Sequence, residues 1–86
     1  EDIAFEVSTA ETAVQQSVVQ WNKAQANLAA GRQLFALDRE RFAQGKLTYS
    51  ELLNTDYALR EAERNALSAW YTYLLARARW ERAAGI

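Results

Sequence analysis

Stepping along the chain by alternating fours and threes from Ile3 reaches Val7, Ala10, Val14, Ser17, Trp21, Ala24, Leu28, Gly31, Phe35, Asp38 and Phe42. Nine of these twelve positions carry an apolar side chain, and so sustained a coiled-coil-like period predicts one helix over about residues 3–43. At ~1.5 Å per residue that arm is on the order of 60 Å long. A second series runs through Leu52, Thr55, Leu59, Ala62, Ala66, Ala69, Tyr73, Ala76, Trp80 and Ala83, and predicts a helix over about residues 49–84. Many of its members are small, which lets helix axes approach closely. The one strong interruption is Gln44-Gly45-Lys46-Leu47-Thr48, so residues 44–48 form a tip turn. The fold class is all-α: a long antiparallel two-helix coiled-coil hairpin.

The punctuation supports these bounds. Thr48 followed three residues later by Glu51 makes a capping box, with the Thr48 hydroxyl accepting from the Glu51 N–H and the Glu51 carboxylate reaching back to the Thr48 N–H. Ser50 is a competing cap. Gly45 and Gly85 stand where helices stop in a left-handed conformation. Arg77, Arg79 and Arg82 occupy the closing turns of the second helix, where the dipole favours cations. Asp56 and Arg60 are four apart in the favourable order. Gly31 falls inside the first arm, at a cost of about 1 kcal/mol against alanine, and suggests a close crossing or a bend.

More apolar residues exist than one seam uses. Val18, Leu34 and Leu37 lie outside it in the first arm, and Leu53, Tyr57, Leu67, Trp70, Tyr71 and Leu74 in the second. A helix with two apolar stripes has neighbours on two sides, as in a bundle or a closed ring of helices. An ordinary helical bundle accounts for the periodicity equally well. The isolated chain is expected to self-associate to cover the second stripe. Trp21, Tyr73 and Trp80 read as seam residues, with Trp70 and Tyr71 covering its flank.

Composition narrows the chemistry. The chain has 86 residues, a formal net charge of −1, and neither cysteine nor histidine. Disulfide and thiolate chemistry are therefore absent, as are the commonest metal ligand and the commonest general base. Interspersed charges of both signs give no case for nucleic acid. Carboxylates are spread along the rod and a two-helix hairpin offers no deep pocket, so no catalytic residue, metal site or cofactor is expected. The longest uncharged stretch near the C-terminus, Asn65 to Ala76, is too short for a bilayer span of about 20 residues. The chain opens on Glu1 and contains no Met, which suits a processed piece of a longer protein.

The run from Arg41 through Phe42, Gly45, Thr48 and Glu51 to Leu52 and Leu53 resembles the Arg-Phe, Gly, Ser/Thr, Asp-Leu-Leu signature of TolC-type outer-membrane efflux proteins. Upstream, Ile3, Glu6-Val7 and Ala10 are similar to the opening of that family's long periplasmic helix. Downstream, Leu59, Ala62-Glu63, Tyr71, Leu74, Ala83 and Gly85 follow its pattern, and Trp80 departs where leucine is usual. The resemblance covers nearly the whole chain. It implies a hairpin of the second-repeat type in the periplasmic α-barrel tunnel of a homotrimeric channel. Its tip, Gln44, Gly45, Lys46, Leu47 and Thr48, would dock onto a membrane-fusion adaptor, which links the tunnel to an inner-membrane pump. The exported cargo would be small molecules or metal ions. The resemblance also implies an acidic pore constriction on the first turns of the second helix; Glu51 matches one position and Asn54 departs at the other. Leu47 departs from a basic residue seen in some members. Two alternatives stand beside this reading: the helical hairpin of the adaptor itself, whose usual Arg, Leu, Ser tip pattern is not well reproduced here, and a generic coiled-coil scaffold.

Overall fold

A computed structural model describes residues 2–86. Helix α1 spans Asp2–Ala43 and helix α2 spans Tyr49–Ala84. They pack antiparallel along their full length into a rod of 65 × 15 × 13 Å. The rod is as long as the 42 residues of α1 require at ~1.5 Å each, so the helix runs straight through without a break.

The seam follows the alternating steps. Every predicted α1 position from Val7 to Asp38 is buried or half-buried, and so is every predicted α2 position from Leu52 to Ala83. The two ends differ: Ile3 is 70% exposed and Phe42 40%. At each end the facing helix stops or turns away, so a seam position there has nothing to cover it. Partners facing each other across the seam have numbers that sum to 93 or 94 (38 with 55, 31 with 62, 21 with 73).

Small seam residues make the interior thin. Leu59, Ala66 and Ala76 are the buried apolar residues among those described, and none falls below 2% exposure. Alanine brings the helix axes together but hides little area, so at about 25 cal/mol per Å² each contributes modestly. One aromatic knot adds volume midway along. The Trp21 and Trp70 rings lie 4.7 Å apart, and Tyr73 stacks on Trp21 at 6.0 Å with 12° between planes. Such pairs add about 0.5–1.5 kcal/mol each beyond the area they bury. Trp70 flanks the seam as expected. Tyr71 does not: it is 63% exposed, because it sits two residues past Ala69 and two before Tyr73 and so points away from α1. Trp80 carries a cost, since its indole Nε1 is enclosed with no acceptor among the described residues.

Not every enclosed polar group finds a partner. Ser17 Oγ donates to the Val14 carbonyl at 2.7 Å. Asp56 Oδ1 is enclosed without a hydrogen-bond partner among the described residues, with Arg60 Nε 3.5 Å away as its counter-charge, while Arg77 and Glu81 pair at the surface, Nε to Oε2 at 3.4 Å. The C-terminal stop at Gly85 is left-handed, with φ 78°, and its turn is closed by Gly85 N–H to the Arg82 carbonyl and Ile86 N–H to the Glu81 carbonyl.

Gly31 neither bends α1 nor marks an unusually close crossing. A Cβ built there would meet Leu59 Cδ1 at 3.6 Å and Ala62 Cβ at 3.9 Å, ordinary contact distances. Gly31→Ala should therefore stabilise the hairpin by roughly 0.5–1 kcal/mol through helix propensity, read as a higher urea midpoint with unchanged slope. Ala66→Leu, inserted into the buried seam, should lower stability by roughly 1–3 kcal/mol. A lower midpoint for Gly31→Ala would show that the helices need the glycine to approach.

Candidate docking tip

The tip is built by two helix ends meeting at a left-handed glycine. Gly45 has φ 75°, a conformation that a side chain disfavours and glycine accepts freely. That residue lets the chain close a Schellman turn, with Gly45 N–H donating to the Phe42 carbonyl at 3.0 Å and Lys46 N–H to the Arg41 carbonyl at 2.8 Å. Gln44 N–H donates to Glu40. The backbone donors of Gln44, Gly45 and Lys46 are thus engaged within the turn. The tip also presents side chains. Gln44, Gly45, Lys46 and Thr48 are exposed and Leu47 is half-buried.

Thr48 starts α2. Its backbone is extended (φ −77°, ψ 157°) and its Oγ1 accepts from the Glu51 N–H at 3.1 Å. The return arm of the capping box differs from expectation. The Glu51 carboxylate accepts from the Thr48 hydroxyl, Oγ1 to Oε1 at 2.8 Å, so one hydroxyl both donates and accepts. Ser50 does not cap, because the helix has already begun at Tyr49. Glu51 and Asn54 are both exposed on the first turns of α2. Glu51 is held by its cap.

Two features of the tip were not anticipated as pairs. Phe42 and Tyr49 flank the turn with ring centroids 5.8 Å apart and 48° between planes, 40% and 60% exposed. Just behind them, the buried Asp38 accepts from Thr55 Oγ1 at 2.6 Å across the seam. Arg41 Nη1 stands 3.8 Å from the other Asp38 oxygen. Thr55 Oγ1 also lies 3.2 Å from the Glu51 carbonyl, but it has one proton and the shorter contact takes it. The signal for this pair was present in the sequence: Asp38 and Thr55 are polar residues on predicted seam positions, each seven residues from an edge of the Gly45–Thr48 turn.

No other constellation suggests chemistry. Among the described residues no group of three or more His, Cys, Asp or Glu side chains could hold a metal ion. No helix of those described is long and apolar enough to cross a membrane. An open groove of about 1050 Å³ runs along one flank of the hairpin. It is lined by residues one before a seam position, such as Gln20, Asn27, Asn65 and Thr72, while Trp70, one after, lies on the other flank. No family model, no curated protein and no solved structure matches the chain.

Cap and cross-seam contacts set the stiffness of this tip. Thr48→Ala should cost about 1 kcal/mol. Thr55→Val, which keeps the shape but leaves the buried Asp38 carboxylate without its donor, should cost more, roughly 1–3 kcal/mol. Urea unfolding followed by circular dichroism ranks the two; equal or smaller loss for Thr55→Val would mean that Asp38 is satisfied by Arg41 and water alone.

Proposed function

We propose that this hairpin is a periplasmic tunnel segment of a TolC-type outer-membrane efflux channel, whose tip docks onto a membrane-fusion adaptor in tripartite export of small molecules or metal ions. The observation that carries this reading is where the family-like string falls. Arg41 through Leu53, the most specific part of the resemblance, wraps the end of the rod at which the chain turns from α1 into α2. A rod of 65 Å with all distinctive chemistry at its tip suits end-on contact and conduit-wall duty, and offers little for catalysis.

The contact is made by side chains. Lys46 projects from the turn, Leu47 gives a half-covered apolar point, and the Phe42–Tyr49 pair widens the apolar collar around it. Aromatic and apolar anchors ringed by polar groups are the usual source of binding energy at protein contacts. Transport energy would come from the inner-membrane pump, and the hairpin itself would be passive.

Binding of the chain to the helical hairpin of a membrane-fusion adaptor, followed by calorimetry, tests the proposal. Lys46→Glu and Leu47→Asp should each weaken binding about tenfold or more while helicity is retained. Absence of binding, or binding unchanged by both substitutions, sinks the docking reading and leaves a structural coiled coil.

A further inference from the structure

Asp38 is a carboxylate in a seam that an aliphatic residue would fill better. It is 7% exposed, in a row that also holds Gly31, Phe35 and Phe42. A leucine or alanine there would hide apolar surface without burying a charge. The two oxygens of Asp38 divide between the arms. Oδ2 accepts from Thr55 Oγ1 of α2 at 2.6 Å, and Oδ1 lies 3.8 Å from Arg41 Nη1 on its own helix. Both contacts lead to the tip. The Arg41 carbonyl accepts the Lys46 N–H that closes the turn. Thr55 lies one helical turn past Glu51, whose carboxylate takes the Thr48 hydroxyl. Polar contacts through Arg41, Asp38, Thr55 and Glu51 thus span the turn from behind, from Lys46 to Thr48.

Within the seam little else distinguishes one register from the next. Moved by one heptad so that Asp38 faces Ala62, Phe42 meets Leu59, Phe35 meets Ala66, Leu28 meets Tyr73 and Trp21 meets Trp80. The small row pairs Gly31 with Ala69 and Ala24 with Ala76. The open end loses a heptad of contacts, but every interior pair stays apolar or small. Moved the other way, Asp38 faces Thr48, whose hydroxyl Glu51 already holds. Neither slip leaves the tip standing. Facing numbers sum to 93 or 94, so the arms fold about a point between Lys46 and Leu47. A heptad slip moves that point to Ser50 or to Ala43. The left-handed stop at Gly45 and the cap at Thr48 then lie off the bend, and helical residues carrying Tyr49 or Phe42 must unwind.

We propose that Asp38 is a positioning residue for the docking tip: its hydrogen bond to Thr55 latches the register in which Gln44 to Thr48 stand at the end of the rod. Buried polar groups that fix alignment at the expense of stability are known in coiled coils. Asp38 acts on the tip through its backbone and never reaches the partner. The inference rests on the docking reading for what the tip binds, while the latch itself is tested without the adaptor.

Cysteine pairs read the register directly. With Ala24→Cys as the common arm, Ala69→Cys reports the observed alignment, and Ala76→Cys and Ala62→Cys report a heptad slip in either direction. In otherwise unchanged chains the intramolecular disulfide should form readily with Ala69→Cys, and about tenfold or more slowly with the other two. Asp38→Ala removes the buried charge and leaves Thr55 Oγ1 its 3.2 Å contact with the Glu51 carbonyl, so helicity should hold. It should nevertheless speed a slipped disulfide about tenfold. Calorimetric binding to the helical hairpin of a membrane-fusion adaptor should weaken about threefold or more, as fewer chains keep a formed tip. Asp38→Asn, whose amide oxygen still accepts from Thr55, should return both readouts close to wild type. Slipped disulfides no faster in Asp38→Ala, or as fast in Asp38→Asn as in Asp38→Ala, overturn the latch. Faster slipped disulfides with adaptor binding unchanged overturn the positioning role. A wild-type chain that binds no adaptor hairpin sinks the docking reading, and the disulfide rates then decide the latch alone.

Discussion

One seam of alternating three- and four-residue steps holds this molecule together, and it is built largely from small side chains. Alanines at 62, 66, 69 and 76 draw α2 close to α1 over most of its length. Close approach gives good van der Waals contact per atom but removes little apolar area from water. Stability is therefore spread thinly along the rod. The Trp21, Trp70 and Tyr73 knot supplies the single dense point midway. A thin interior also leaves each helix with a whole face unspent, and the outer chemistry of the hairpin follows from that geometry.

A seam of repeated alanines invites slippage, because moving one helix by seven residues leaves the apolar pattern almost unchanged. The Asp38–Thr55 hydrogen bond opposes that. In the observed register the buried carboxylate meets a hydroxyl at 2.6 Å. Seven residues further along, Asp38 would face Ala62 and lose its donor in a buried place, which costs more than the bond itself contributes. The tip adds a second constraint, since the Schellman turn at Gly45 and the cap at Thr48 fix the number of residues between the helices. Turn length and buried polar pair therefore specify the same alignment by independent means.

Much of this was legible in the sequence because a coiled-coil seam is a local, periodic property. Helix ends, the left-handed stops at Gly45 and Gly85, and nearly every seam position follow from step counting and capping rules. The failures share a physical cause: each depends on a contact between the arms or on side-chain rotation, which periodicity does not encode. Gly31 looked like a close crossing because glycine is costly in a helix, yet the facing Leu59 and Ala62 leave room for a methyl group. The hydroxyl of Thr48 turned toward the Glu51 carboxylate, so the return arm of the box goes to the side chain and not to the backbone. Tyr71 was grouped with Trp70 because they are neighbours in sequence, but one residue rotates a helical side chain by about 100°, enough to carry it from flank to outer face.

That rotation also explains how one helix carries two unlike faces. Residues that meet the sister helix and residues that face away are interleaved one and two positions apart, so the same 36-residue segment of α2 reads as an alanine seam on one side and a tyrosine–leucine ridge on the other. Size is partitioned in opposite senses on the two outer faces, small on α1 and large on α2.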